Sequence, residues 1–319
     1  MSSGSILIVS TVADVATDAV VAALRAMGVN HTRVNTEDLP FDRSLTVDLS
    51  SDDDAQLLFD GRAATSGAIW YRRVRSPSRP IEMDEGIYDF CLRESRATLL
   101  GGLIGQNARW MSRPENIWRA EFKPYQLQQA RSLGLRIPKT LVSNDPDAIR
   151  KAAQAFGPLV VKPARSGHFR SGNEEFAIFT SLLSDDHLAQ LDDARWSPSI
   201  YQEHIPKRFD LRVTYVGGHL YSAAIHSQTD HAAEIDWRRT ENPNLPHSPI
   251  EIDPTIARKL QELMKTLELE FGCIDLVLTP EGEYVFLEVN PSGQWLWIDD
   301  QLGLGISNGV ARWLAGAPQ

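Results

Sequence analysis

Cysteine is nearly absent from this chain: Cys91 and Cys273 are the only two in 319 residues. Both sit among apolar neighbours, which argues against a disulfide framework and for a reducing, cytoplasmic setting. Long hydrophobic runs are missing as well. No apolar stretch reaches the length of a membrane span. The N-terminus runs into Ile6-Leu-Ile-Val9 with no basic segment before it, so no signal peptide is expected. Positive charge is in deficit: 32 Lys and Arg against 42 Asp and Glu leave a net charge of −10. That argues against a general binder of nucleic acid or membrane surfaces, although a basic cleft can exist on an acidic protein. Repeats and low-complexity tracts are absent. A composition of 42% hydrophobic and 23% charged residues is that of a globular protein with a substantial core. The length suggests roughly two domains of about 150 residues each.

Glycine is missing where two familiar nucleotide sites would need it. Ile6-Leu-Ile-Val9, a helix with Val15, Ala19, Val20, Ala23, Leu24 and Met27 on one face, and a strand from His31 to Asn35 make a βαβ start. The connecting loop Ser10-Thr-Val-Ala-Asp14 has no glycine to let a pyrophosphate approach, which excludes a dinucleotide site. No Gly-x-x-x-x-Gly-Lys-Ser/Thr occurs, so there is no Walker loop. Residues 42–67 look polar and irregular. Ala68-Ile-Trp-Tyr-Arg-Arg-Val-Arg75 reads as a strand ending in three arginines, which either face an anionic ligand or form a solvated edge.

What is present is a polar site on a β-rich second half. Phe271 to Gly293 reads as a hairpin about a two-residue turn, Glu281-Gly282. That register sets Ile274 opposite Val289, Leu276 opposite Leu287 and Leu278 opposite Val285, an apolar face. On the other face Asp275 meets Glu288, with Asn290 beside them. Facing carboxylates repel unless a cation lies between them or one is protonated. A few hard oxygen ligands with room for water and phosphate suit Mg²⁺; the alternative is a solvated polar face. Upstream, a helix from about Ala120 to Leu133 carries Lys123. Asp145 and Pro146 open another helix. Pro158-Leu-Val-Val-Lys162 is a short strand ending in a lysine. The loop Arg165-Ser-Gly-His-Phe-Arg-Ser-Gly172 could close over phosphates. Ser199-Ile-Tyr-Gln-Glu-His-Ile205 is a strand. Gly217-Gly218 marks a hairpin on which Asp210 and Arg212 share a face, readable as a surface ion pair of little worth. Residues 227–249 form a long polar loop, a binding element or lid.

The order of these parts, with the segments Glu121-Phe-Lys-Pro-Tyr-Gln-Leu, Pro206-Lys-Arg-Phe-Asp-Leu-Arg-Val and Glu288-Val-Asn-Pro-Ser-Gly-Gln-Trp-Leu-Trp, resembles the ATP-grasp superfamily. Within it the chain resembles the graspetide ligases, the microviridin type that install side-chain ester or amide cross-links in ribosomal peptides. The similarity runs from about residue 105 to the end, with a weaker pre-ATP-grasp match before it. It implies an α/β (α+β) ATP-grasp fold: an N-terminal pre-ATP-grasp domain (1–115), a central subdomain (116–200) and a C-terminal subdomain (201–319). It assigns Lys123 and Lys162 to ATP phosphates, and Gln202, Glu203 and Ile205 to the adenine site. Asp210 would lie near the ribose or the acceptor, and Arg212 near the γ-phosphate or acyl-phosphate. Asp275, Glu288 and Asn290 would hold Mg²⁺, as two ions. The implied partner is a ribosomal precursor peptide with leader and core. Nucleic acid and membrane are not among the expected partners, and a homodimer is left open.

The implied chemistry suits these residue types. A carboxylate attacks the γ-phosphate and gives an acyl-phosphate and ADP; a hydroxyl or amine then displaces phosphate. Both partners of the first step are anions, so positioning and charge neutralisation dominate. Addition of a free amino acid to a peptide or small acid is an alternative activity, and a nucleotide-binding regulator without turnover is another. Residues 227–249 are the candidate docking element for a leader, against the alternative of a surface loop.

Overall fold

Five consecutive buried residues, Ile6–Ser10, form a central strand in the computed structural model, which describes residues 5–50, 55–64, 67–165, 167–171, 174–240, 242 and 244–318. The strand belongs to a parallel sheet in the order His31–Asn35, Ile6–Ser10, Ala68–Tyr71, Arg109–Trp110. A parallel strand covered on both faces reads as an unbroken apolar run. The helix Val15–Ala26 buries Ala16, Thr17, Val20, Val21 and Leu24. Its expected inner face is therefore displaced, with Val15 and Met27 exposed. Buried Thr17 accounts for this, since its Oγ1 donates to Asp14 Oδ2 at 3.0 Å and draws that side inward. Residues 42–67 are not irregular. They contain a three-stranded antiparallel sheet, Leu45–Asp48, Gln56–Phe59 and Arg62–Ala63. It packs on the helix Glu85–Ile104 at Gly102, where a Cβ would meet Val47 and Leu57 at 2.7 and 2.9 Å.

Two further antiparallel sheets follow. The first runs Ser181–Leu182, Leu159–Pro163, Ser199–Glu203, Thr140–Ser143. Leu159, Val161 and Tyr201 turn towards the helix Pro146–Phe156, and the alternate residues Val160, Lys162 and Gln202 line a cleft. Asp145 caps that helix by accepting from Asp147 N at 3.0 Å. The second sheet runs His247–Pro249, His219–Ile225, Phe209–Val216, Phe271–Leu278, Tyr284–Asn290. Leu211, Val213, Ile274 and Leu276 pack with Leu127, Leu260, Leu263 and Met264 of the helices Lys123–Ser132 and Pro254–Thr266. The alternate positions Asp210, Arg212 and Asp275 line the same cleft from its other side. Among the described residues no helix is long and apolar enough to cross a membrane.

The last hairpin departs from its expected register and then returns to it. Thr279 N donates to Glu283 O at 2.9 Å, Gly282 N to Thr279 O at 3.0 Å, and Gly282 has φ +87°. The turn is thus three residues, 280–282, with glycine at the left-handed position. Leu276 opposes Phe286 and Leu278 opposes Tyr284, not Leu287 and Val285. A bulge beyond Asp275 absorbs one residue, and Ile274–Val289 and Asp275–Glu288 pair as expected. Leu287 packs instead with Ile205, Val277 and Val285.

Of the three arginines after Ala68–Tyr71, Arg72 is set apart by its burial. Arg72 is 2% exposed and faces Asp14, Nε to Oδ2 3.4 Å. It lies over the Trp295 ring at 4.6 Å and the Phe271 ring at 5.4 Å. Its Nη2 donates to Gly293 O at 2.7 Å, tying the parallel sheet to the turn after Asn290. Burial lowers its pKa to about 10, against the pull of Asp14. Arg72→Met would leave the Asp14 carboxylate buried without its cation. It is expected to cost about 3–5 kcal/mol, part of which Asp14→Asn in the same chain recovers. Equilibrium urea unfolding of the wild type and both variants checks this, and a single variant as stable as the wild type would refute the pairing.

Candidate active site

Antiparallel pairing alone places the central residues. Arg212 is the partner of Asp275, and Asp275 is the partner of Glu288, so three adjacent strands present one row. Lys123, at the start of its helix, completes the row with Nζ 2.5 Å from Glu288 Oε2. Arg212 Nη1 donates to both Asp275 oxygens at 2.8 and 2.9 Å, and its Nη2 to Gln294 O at 2.8 Å. Asn290 Nδ2 donates to Asp275 Oδ2 at 2.9 Å and Glu288 Oε1 at 3.1 Å, so one amide touches both carboxylates. The row reads cation, carboxylate, carboxylate, cation.

Its electrostatics follow from burial and neighbours. Burial raises the Asp275 pKa, with Arg212 pulling it down and Glu288 pushing it up. Burial acts on Glu288 in the same direction, but Lys123 and Lys162 hold its carboxyl well below the usual carboxylate range. Burial opposes the Arg212 charge, yet the Asp275 contact raises its pKa overall. Lys162 has no ion-pair partner among the described residues, and burial pushes its ammonium down to about 8.

Every residue that the ATP-grasp resemblance assigned to the site lines one cleft of about 700 Å³. Lys123, Lys162, Arg212, Asp275, Glu288 and Asn290 gather as described. Gln202 Nε2 donates to Thr140 Oγ1 at 3.0 Å, and Glu203 Oε1 accepts from Lys139 N at 3.0 Å. Ile205, Val277 and Leu287 give the cleft an apolar patch beside them. Asp210 is differently placed. Both its oxygens take Lys207 Nζ, at 3.0 and 2.9 Å, and Oδ2 accepts from Ser227 Oγ at 2.5 Å. Burial raises its pKa despite Lys207. Asp210 and Arg212 are therefore not a surface pair: both are buried, each with a different partner. Of the loop 165–172, Ser166 and Gly172 lie outside the described residues. Within it His168–Ser171 pairs with Glu174–Ala177 as a hairpin.

Several contributors were not evident from the sequence. Gln126 donates to Val289 O at 2.7 Å and accepts from Val289 N at 2.8 Å, holding the strand between Glu288 and Asn290. It lies three residues after Lys123, so one helix face supplies both. Of residues 227–249, read from the sequence as a binding element or lid, Ile235, Asp236, Trp237 and Arg238 line the cleft. Asp236 takes Arg238 at 2.8 and 2.6 Å and Thr180 N at 3.0 Å, and Lys207 reaches Ile235 O at 3.1 Å. The Asp236-x-Arg238 spacing was the available signal, obscured by a stretch dense in charge.

Asp275, Glu288 and Asn290 suit a hard divalent cation. Two carboxylates converge on a third polar group, and half a turn of the Asn290 amide presents Oδ1 to the same point. With two groups able to supply carboxylate oxygen and one an amide oxygen, positions remain for water or phosphate.

Residues 5–118 match the model of the MvdD pre-ATP grasp domain. The whole chain is similar to the macrocyclase MdnC of Microcystis aeruginosa, solved with precursor peptide MdnA: 33% identity over 98% of this chain and 99% of that one, TM-score 0.85. It is similar also to a RiPP-associated ATP-grasp ligase of Chryseobacterium gregarium, solved with ADP and a leader and core peptide: 29% identity, 99% and 98% coverage, TM-score 0.91. Human N-acetylaspartylglutamate synthase A is 25% identical over 251 residues, 75% of this chain but 58% of that protein's length. The fold is that of ATP-dependent ligases with a pre-ATP-grasp domain. The chain belongs to the ATP-grasp ligases associated with ribosomally synthesised, modified peptides.

Glu288→Gln is expected to lower turnover at least ~100-fold while the protein still unfolds cooperatively near the wild-type temperature. Steady-state ADP release at saturating Mg²⁺ and a thermal melt check both halves. Near-wild-type ADP release would remove the row from the chemistry.

Proposed function

We propose that this protein is an ADP-forming ligase that activates an Asp or Glu side chain of a ribosomal precursor peptide and closes ester or amide cross-links within it. The observation that carries the reading is the charge row with Lys162 near Glu288 and without an ion-pair partner among the described residues. The relatives support the substrate class: the ligase of C. gregarium was solved with ADP and a leader and core peptide, and MdnC with a precursor peptide. We divide the chain into a pre-ATP-grasp domain at 1–115 and two ATP-grasp parts at 116–200 and 201–319. We place it in the cytoplasm, in keeping with two cysteines that form no disulfide.

Lys123 and Lys162 take the ATP phosphates, and Gln202, Glu203 and Ile205 line the adenine end, where Val277 and Leu287 add apolar surface. Asp275, Glu288 and Asn290 would hold Mg²⁺, which when bound neutralises phosphate charge. A peptide carboxylate oxygen attacks the γ-phosphorus, and the bond from phosphorus to ADP breaks. Arg212 faces the transferred group, held in position by Asp275 and Gln294 O. Arg238, oriented by Asp236, adds a second cation on the same side. A hydroxyl or amine then attacks the acyl carbon, phosphate leaves, and the nucleophile gives up its proton. Asp210 orients Lys207 and Ser227, both of which occupy its oxygens. The acyl-phosphate hydrolyses readily, so the cleft must exclude water while it lives.

Incubation with ATP, Mg²⁺ and a precursor peptide should yield a peptide lighter by one water per cross-link. A peptide heavier by one amino-acid residue would favour free amino-acid ligation. Lys162→Ala should raise the ATP requirement at least about tenfold, and Arg212→Ala should mainly lower the single-turnover rate. ATP affinity by calorimetry and rapid-quench turnover separate the two effects. An unchanged ATP affinity in the lysine variant would take it away from the phosphates.

A further inference from the structure

A second crevice, of about 490 Å³, opens at the carboxyl ends of Ile6–Ser10 and Ala68–Tyr71. Ile6–Ser10 has the His31–Asn35 strand on one side and Ala68–Tyr71 on the other. The crevice thus lies where neighbouring connections diverge, the position at which open parallel sheets hold ligands. The crevice is continuous with the catalytic cleft, since Arg73, Glu121 and Ser292 line both.

Its charges do not cancel internally. Asp14 is taken by Arg72 and by the hydroxyls of Ser10 and Thr17. Glu121 faces Arg165 at 3.5 Å. Arg73 donates from Nε to Ser292 O at 3.3 Å, and no carboxylate pairs with it among the described residues. The Arg75 side chain has no ion-pair partner among them either, while its backbone is fixed by Thr36. Burial lowers the Arg73 pKa against the pull of Asp14, and Arg75 lowers it further. Ile117 and the partly exposed Trp118 form an apolar wall. A planar guanidinium fork matches a carboxylate, and the apolar wall suits the carbon chain that carries it. The loop 10–14 has no glycine-built nest of N–H groups for phosphate.

We propose that this crevice is a subsite for a second acidic side chain of the peptide, one that does not react. The Arg73 guanidinium takes the carboxylate, Arg75 adds to the attraction, and Trp118 packs against the side-chain methylenes. The proposal rests on the peptide-ligase reading of the adjoining cleft. A peptide held at Arg73 enters that cleft in a fixed register, which would select one acidic residue for activation over its neighbours.

The test is NMR titration of the Arg73 Nε–H resonance with N-acetylglutamate amide, N-acetylglutamine amide and inorganic phosphate. Capped glutamate should shift it saturably and capped glutamine should not. Arg73→Gln should weaken capped-glutamate binding, measured by calorimetry, about tenfold or more. The shift should persist in an Arg212→Ala background, which separates this subsite from the reacting carboxylate's position. A non-hydrolysable ATP analogue should bind wild type and Arg73→Gln alike, showing that the variant is folded. Equal capped-glutamate affinity in wild type and Arg73→Gln, or loss of the shift with Arg212→Ala, overturns the subsite. So does phosphate binding at Arg73 more tightly than capped glutamate, which would make it a phosphate site. Failure of the wild type to bind the ATP analogue would instead sink the ligase reading, whatever happens at Arg73.

Discussion

The structure depends on a row of four charges laid across adjacent strands. Arg212, Asp275 and Glu288 are direct cross-strand partners, and Lys123 closes the far end. Direct partners on one face stand roughly 5 Å apart at Cβ, so the two carboxylates cannot avoid each other. A cation at each end and the Asn290 amide between them make the pair tolerable without any bound ion. Buried ion pairs of this kind contribute little net stability compared with apolar residues of the same volume. The row is better understood as a functional device than as a stabilising one. Its surroundings serve to keep it aligned. The Gln126 amide holds Val289 by two hydrogen bonds, Arg72 fixes Gly293 O, and Arg212 fixes Gln294 O. Gly293 has no room for a side chain: a Cβ would lie 2.5 Å from Cys273 Cβ and 3.1 Å from Arg212 Nη2.

Much of this was legible because strands have a period of two. Alternation along 271–290 was enough to bring Asp275 to Glu288 and to turn Ile274 away. The pairing was reached through two compensating deviations, a turn longer by one residue and a bulge that absorbs the shift. Neither has a strong local signature, because a bulge is a property of two strands together. Between those deviations the apolar partners were misassigned. The Asp210–Arg212 face looked solvent-exposed for a related reason. A strand's own sequence does not say what covers it, and here the cover comes from Ser227 and the Ile235–Arg238 stretch.

The 227–249 segment shows the same limit from the other side. Polar, rich in Pro and Asn, and long, it had the composition of a surface element. It is instead held at several points: Asp210 to Ser227, Lys207 to Ile235 O, Asp236 to Thr180 N. The last contact joins the C-terminal sheet's segment to the strand region beside Lys162. A docking role for its outward face is compatible with this, but excising 229–237 would also dismantle a wall of the cleft.

The arrangement of partners also sorts the cations of the cleft. Lys123, Lys207, Arg212 and Arg238 each have a carboxylate, respectively Glu288, Asp210, Asp275 and Asp236. Such a cation is oriented in advance and needs no reorganisation when a ligand arrives. Lys162 and Arg73 have no such partner among the described residues. For both, burial makes the charged form costly, and an incoming anion relieves that cost. Lys162, with a pKa near 8, keeps most of its charge at neutral pH and loses it as pH rises through that value. An anionic ligand beside it would hold the proton on and move the loss to higher pH. The two unpaired cations lie on different parts of the fold, Lys162 on the central sheet and Arg73 after a strand of the N-terminal sheet. That both line one cleft suits the proposed reading, in which a nucleotide lies at Lys162 and an acidic side chain of the peptide at Arg73.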